Sequence, residues 1–183
     1  MNIVETGFAG MVILQPDVLK DSRGHFFESY NKRSFTESGL DFEFVQDNQS
    51  WSKAGVIRGL HFQVPPVAQT KLVRVLQGII WDVVVDLRKD QPTYGKVHYV
   101  ELSAENKWQL LVPRGFAHGF SVISESAEVL YKSDGLYTPS LERGVRYDDP
   151  DLGIAWKITP GHTPLVSNKD LAWPRLSELP GCF

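Results

Sequence analysis

The chain has 183 residues, 42% hydrophobic and 22% charged, enough apolar material for a core of its own, which excludes a disordered or fibrous protein. Its formal net charge of -3 lacks the surplus of Lys and Arg that an extended nucleic-acid surface requires. The single cysteine, Cys182, excludes an internal disulfide and suits a reducing compartment.

In chain order, runs rich in Val, Ile, Phe, Tyr and Trp are separated by Gly, Pro, Asn and Asp, the pattern of many strands joined by turns. Strands are predicted near Val12–Gln15 and His25–Tyr30, followed by the one helix: Asn31 caps it, Lys32–Ser38 forms it and Gly39 stops it. Further strands are expected near Phe42–Ser50, Val56–Phe62, Lys71–Gln77, Ile80–Leu87, Val97–Leu102, Trp108–Val112, Ala117–Ile123 and Ala127–Ser133. Beyond them Pro139, Pro150, Pro160, Pro164, Pro174 and Pro180 break any long element. Ten close strands with little helix must cover their edges, so the expected fold is mostly β: a jelly-roll barrel with one short N-terminal helix and an extended, Pro-rich C-terminal segment, in one domain spanning 1–183.

No basic-then-apolar leader is evident at Met1–Thr6, which makes the cytoplasm the expected location. The longest apolar run, Gly78 to Val85, is interrupted by Asp82 and falls far short of the roughly 20 residues that span a bilayer. No membrane partner is expected.

Two of the five histidines have informative neighbours. His118 ends a Pro113-x-Gly115-x-x-His118 segment that has the shape of a second cupin motif, and His61 lies in Arg58-Gly59-Leu60-His61-Phe62-Gln63. A catalytic metal wants at least three protein ligands, and the His-x-His pair of a metal-binding cupin is missing, since Phe62-Gln63 follows His61. A metal-free site with His61 as general base is one reading; a hydrogen-bonded core histidine is the other.

Strand alternation gives His61 company. Lys71 shares a face with Val73 and Val75, and Tyr131 shares one with Ala127 and Val129, each a polar tip among apolar neighbours. A cavity holding substrate would account for both. Asp82 is a candidate to orient Lys71, or merely to form a buried ion pair. Arg58 and His61 would fall on opposite faces of a regular strand, so an irregularity at Gly59 is predicted that brings both into one cavity. Arg23 and Arg58 suit a diphosphate, because the guanidinium fork donates two parallel hydrogen bonds; an exposed edge charge is the plainer reading of Arg23.

The segments DSRGHFFE (21–28), FVQDNQS (44–50), GVIRGLHFQ (55–63), KLVRV (71–75), WDVVVDLR (81–88), PRGFAHGF (113–120) and SNKD (167–170) together strongly resemble the dTDP-4-dehydrorhamnose 3,5-epimerases, from about Thr6 to Pro174. The resemblance implies a cupin-type jelly-roll homodimer without cofactor or metal, inverting C3 and C5 of dTDP-4-dehydro-6-deoxy-D-glucose on the way to dTDP-L-rhamnose. It makes His61 the base, Asp170 its orienting carboxylate, Tyr131 the opposing acid and Lys71 the cation beside the enolate. It makes Arg23, Phe26, Glu28, Gln46, Asn48, Arg58, His118, Tyr137, Glu142 and Lys169 substrate contacts. A sister enzyme inverting one centre only, a metal-dependent cupin and a non-catalytic sugar-binding cupin are the rivals; Tyr137 favours the double epimerase over the first. An apolar N-terminal strand, Met11-Val12-Ile13-Leu14, is expected to be exposed and to profit from a partner.

Overall fold

Alternate residues of a strand point to opposite sides of its sheet, and here both sides find apolar cover. The structure, a computed structural model, describes residues 1–183. Its strands are β1 (Asn2–Glu5), β2 (Val12–Gln15), β3 (Leu19–Asp21), β4 (Gly24–Phe26), β5 (Gln46–Lys53), β6 (Ile57–Gln63), β7 (Lys71–Gln77), β8 (Ile79–Asp86), β9 (Val97–Ser103), β10 (Gln109–Val112), β11 (Phe116–Val122), β12 (Ser126–Ser133) and β13 (Glu142–Gly144). A six-stranded sheet runs β1-β2-β10-β7-β12-β5, and a five-stranded sheet runs β13-β6-β11-β8-β9. All named strand pairs are antiparallel, and β3 pairs only with β4, as a separate hairpin.

Val73, Val75, Leu110, Ala127 and Val129 of the first sheet share one buried cluster with Ile80, Val84, Val100, Leu102, Phe116, Phe120 and Val122 of the second, so the inner faces pack on each other. This is the expected jelly roll. The outer face of the second sheet carries Leu60, Phe62, Val83 and Val85, covered by Ile154, Trp156, Leu176, Leu179 and Phe183 of the C-terminal segment. That segment holds only short elements, among them helix α2 (Asn168–Leu171), as its prolines lead one to expect. The outer face of the first sheet carries Val12, Leu14, Leu72 and Leu111, covered by Tyr30, Phe35, Phe42 and Phe44.

Helix α1 (Lys32–Glu37) begins as predicted, with Asn31 Oδ1 accepting from the Arg33 and Ser34 N–H groups. Gly39, at φ +80°, ends it. The flanking aromatic runs depart from expectation. Only His25 and Phe26 of the predicted His25–Tyr30 strand, and only Gln46 onward of Phe42–Ser50, are β structure. Their aromatic side chains are cover rather than sheet: Phe27 stacks under Arg74, and the Tyr30 ring meets Phe35 and Phe44 edge-on. β-propensity records a liking for half-buried surfaces, which a covering loop also provides. The N-terminal strand needs a second correction. Met11, Val12 and Leu14 are buried within the chain's own core, because β1 and β10 flank β2 on both sides. Exposed apolar residues are found elsewhere instead, among them Leu19 and Phe26 on the β3–β4 hairpin, Trp51 on β5 and Leu136 beyond β12.

The irregularity at Gly59 is present. His118 pairs with His61 and Phe120 with Arg58, so Gly59 and Leu60 together oppose Gly119 alone, and Arg58 and His61 both face inward. Gly59 has φ +127°, and a Cβ there would lie 2.5 Å from Gly119 Cα and 2.9 Å from the His118 carbonyl oxygen, both backbone atoms. Gly59→Ala is therefore expected to cost at least about 1–3 kcal/mol from the backbone conformation alone. Thermal unfolding of the variant against wild type reads this directly, and an unchanged Tm contradicts it.

Candidate active site

The polar residues of the inner faces gather where the sheets part, around a cleft of about 180 Å³. His61 of β6 stands on one wall; Lys71 of β7, Tyr131 of β12 and Asn48 of β5 stand on the other, with Tyr137 and Glu142 at the edge. Register explains the grouping on the first sheet: Tyr131 lies opposite Val73 and Ser133 opposite Lys71.

Asp170 reaches His61 because the C-terminal segment runs along β6: Val56 and Leu165 form a parallel bridge, and Ile57 N–H donates to the Leu165 carbonyl at 3.0 Å. Helix α2 begins just beyond, with Ser167 Oγ capping the Asp170 N–H. Asp170 Oδ1 lies 2.6 Å from His61 Nε2, and the Gly59 N–H donates to Oδ2 at 3.4 Å. Burial pushes the Asp170 carboxyl up, but the hydrogen bond and charge of His61 and the Gly59 N–H outweigh it and hold the group below its ordinary range. An ionised carboxylate only accepts, so Nε2 carries the proton and Nδ1 keeps a lone pair for use as a base. The ring is also wedged by Trp173, edge-on at 6.2 Å. Trp173 fits because Gly144, the strand partner of His61, has no side chain: a Cβ would lie 2.6 Å from the indole.

Tyr131 is enclosed by the rings of His118 and Phe120, and its Oη lies 2.9 Å from Ser50 Oγ. Burial raises the phenol well above its ordinary pKa, opposed by Ser50 and by the Arg58 charge, so it holds its proton at neutral pH. Burial lowers the Lys71 ammonium to about 8, against the pull of Glu142 and Asp82. A cation, an enclosed acid and a base with a free lone pair thus share one cleft, which is the equipment for moving protons beside a carbonyl.

The family model for dTDP-4-dehydrorhamnose 3,5-epimerase matches residues 5–178. The chain belongs to that family. It is similar to the Shigella flexneri dTDP-4-dehydrorhamnose 3,5-epimerase, 49% identical over 172 residues, with 93% of each chain covered. Among solved structures it is similar to the Elizabethkingia anophelis enzyme, with 49% identity, TM-score 0.92 and 97% of both chains covered. It is also similar to the dTDP-6-deoxy-D-glucose-3,5-epimerase of Legionella pneumophila, solved with dTDP-4-keto-L-rhamnose, with 42% identity, TM-score 0.92 and 98% and 94% of the two chains covered. As a member of the family, the chain is an epimerase of the dTDP-L-rhamnose pathway.

The remaining expected site residues divide into three groups. Tyr137, Glu142 and Lys169 meet at the rim of the epimerase cleft, where Tyr137 Oη and Lys169 Nζ both donate to Glu142 Oε2 at 2.5 Å. Gln46 accepts from the Tyr137 N–H at 2.8 Å and donates to Asn48 Oδ1 at 3.0 Å, while Arg58 donates to Ser52 Oγ at 2.9 Å. His118 departs from expectation. It is 4% exposed, and its Nε2 is 2.8 Å from Asp82 Oδ2, so it backs the Tyr131 ring rather than lining the cleft. Asp82 accordingly bonds His118 and not Lys71; its influence on the lysine is through charge alone. The third group lies elsewhere within one copy: Arg23 and Phe26 line a separate hollow on the β3–β4 hairpin, and Glu28 bonds Asn31 and Ser34 at the start of α1. The sequence reading passed over Ser50, Trp173 and the floor residues Gln63, Gln69 and Ser133. Ser50 had a visible signal in the period-2 polar stripe Gln46, Asn48, Ser50, Ser52, and Gln63 and Ser133 follow His61 and Tyr131 at the same spacing.

No group of three or more His, Cys, Asp or Glu side chains has an arrangement that would hold a metal ion. No helix is long and apolar enough to cross a membrane.

Proposed function

We propose that His61 removes the C3 and C5 protons of dTDP-4-dehydro-6-deoxy-D-glucose, that Lys71 meets the negative charge on the C4 oxygen, and that Tyr131 returns a proton to the opposite face. The observation that carries this reading is that His61 and Tyr131 belong to opposite sheets and line one cleft together with Lys71. A proton beside a ketone is acidic only when the enolate oxygen is stabilised, and a preorganised cation commonly supplies the largest such contribution. Inversion needs an acid facing the base, since a single group would restore the original centre. Each proton moves between side chain and substrate carbon without a redox step, so these side chains suffice without a cofactor.

The cleft is small beside the roughly 300–1,000 Å³ of pockets that engulf drug-sized ligands. It suits the sugar ring, leaving the nucleotide diphosphate outside, within reach of Arg58 and Asn48. The product complex of the Legionella pneumophila relative supports a sugar nucleotide as ligand. Phe26, 71% exposed, and Arg23, whose side chain is 88% exposed, are stranded on a hairpin that a single copy does not use. We read them, with Glu28, as substrate contacts offered to the cleft of a second copy, and the epimerase as a cytoplasmic homodimer whose 183 residues act as one domain.

Proton NMR of the substrate incubated with enzyme in deuterated water tests the assignments. Wild type is expected to deuterate and invert C3 and C5, and Tyr131→Phe to retain exchange while losing inversion. A Tyr131→Phe enzyme that still inverts both centres overturns the assignment of the acid.

A further inference from the structure

When Tyr131 delivers its proton, the Oη–H bond breaks, a C–H bond forms from the electron pair of the enolate carbon, and the carbonyl is restored. A negative charge is left on Oη, in a site whose burial already disfavours it. The phenolate needs a donor at that moment, and the body of the ring is packed against Phe120, His118 and the apolar cluster that holds Val73 and Val129, none of which donates to Oη.

Ser50 is the one side chain hydrogen-bonded to Tyr131 Oη, at 2.9 Å. It belongs to the inward face of β5, where Asn48 lies opposite Tyr131 and Ser50 opposite Val129, so the contact is a diagonal one across the sheet. Its neighbour on that face, Ser52, is occupied as acceptor for Arg58 Nε at 2.9 Å, and Arg58 Nη2 is tied to the Trp51 carbonyl at 3.3 Å. The guanidinium is thereby braced beside the phenol while the Ser50 hydroxyl remains committed to Tyr131. The Ser50 hydroxyl, donating to a lone pair of the phenol oxygen, leaves the phenol proton free to point across the cleft, and the same bond strengthens when the phenolate forms, with no movement of the backbone.

We propose that Ser50 is a positioning residue for the acid: it aims the Tyr131 hydroxyl across the cleft and stabilises the phenolate that proton delivery leaves behind. The inference rests on the assignment of Tyr131 as acid, and it separates two steps of the reaction. Proton removal by His61 does not pass through Ser50; proton return does. Loss of the hydroxyl therefore slows inversion and spares exchange, whereas a merely structural fault slows both together.

The test compares wild type, Ser50→Ala, Ser50→Thr and Tyr131→Phe in deuterated water, following deuterium uptake at C3 and C5 and the appearance of inverted product. Ser50→Ala is expected to exchange near the wild-type rate while inverting about tenfold more slowly, the lower end for losing a hydrogen bond to a charged group. Ser50→Thr, which keeps the hydroxyl, is expected to bring the ratio of exchange to inversion back toward wild type. A wild-type ratio in Ser50→Ala, whether both rates fall or neither does, overturns the role of Ser50, as does a Ser50→Thr ratio as high as that of alanine. If Tyr131→Phe still inverts, the assignment of the acid fails. If Tyr131→Phe exchanges without inverting while Ser50→Ala keeps the wild-type ratio, the role of Ser50 alone fails.

Discussion

Replacing His61 with alanine is expected to stop deuterium uptake at both C3 and C5 and to lower kcat/KM by about 10²–10⁴-fold, the usual share of a positioned general base. The size of the effect follows from how completely the ring is prepared. Asp170 fixes Nε2 as the donor at 2.6 Å, Trp173 holds the ring edge-on at 6.2 Å, and Gly59 lets β6 bulge so that the imidazole faces inward at all. Nδ1 is the nitrogen that this arrangement leaves with a lone pair. Asp170→Asn is expected to lose most of the exchange while His61 is still present, because an amide nitrogen turned to the ring donates to Nε2 and moves the proton to Nδ1. Both variants are read by proton NMR at the C3 and C5 positions in deuterated water. Wild-type exchange in His61→Ala removes the histidine from the mechanism. Wild-type exchange in Asp170→Asn removes the tautomer argument and leaves the histidine.

Much of this was legible in the sequence because it depends on local periodicity. Val73 and Val75 on one strand, and Ala127 and Val129 on another, fix which way Lys71 and Tyr131 point, since a slip of one residue would bury the wrong faces. The conflict between Arg58 and His61 was visible for the same reason, and glycine was the one residue between them able to relieve it. What periodicity could not supply was contact across long separations, and only the family resemblance pointed Asp170 to His61. Asp170 is 109 positions from His61, and its meeting with that ring depends on the bridge at Leu165, a short pairing with no sequence signature. Asp82 showed the opposite failure: a carboxylate in a buried strand and a lysine on an inner face suggested a pair, yet the His118 imidazole across one strand was nearer. The covering aromatics Phe27, Phe42 and Phe44 read as strand because composition cannot distinguish the residues of a sheet from those that roof it.

Lys71→Met is expected to make the protein more stable at neutral pH and a far poorer catalyst. Burial lowers the ammonium from its ordinary 10.5 to about 8, with Glu142 and then Asp82 only partly opposing it. The unfolded chain therefore binds more protons than the folded one between about pH 8 and 10.5, so the penalty on stability is fully present below pH 8 and disappears as pH rises through that window. The shift corresponds to about 3 kcal/mol. Methionine fills a similar volume without the charge, so Tm at pH 7 rises, and the gap between variant and wild type narrows toward pH 10. Catalysis moves the other way. Removing the cation that meets a developing oxyanion costs about 10²–10³-fold in kcat. In wild type, kcat/KM falls as pH rises through about 8, because the neutral amine has no charge to offer the enolate, and this limb is absent in Lys71→Met. Thermal unfolding and initial rates across pH 6–10 measure both halves. A variant that loses stability together with activity at pH 7, or one that keeps the alkaline limb, shows that the ammonium is not held in the cleft at the expense of stability for the sake of the enolate.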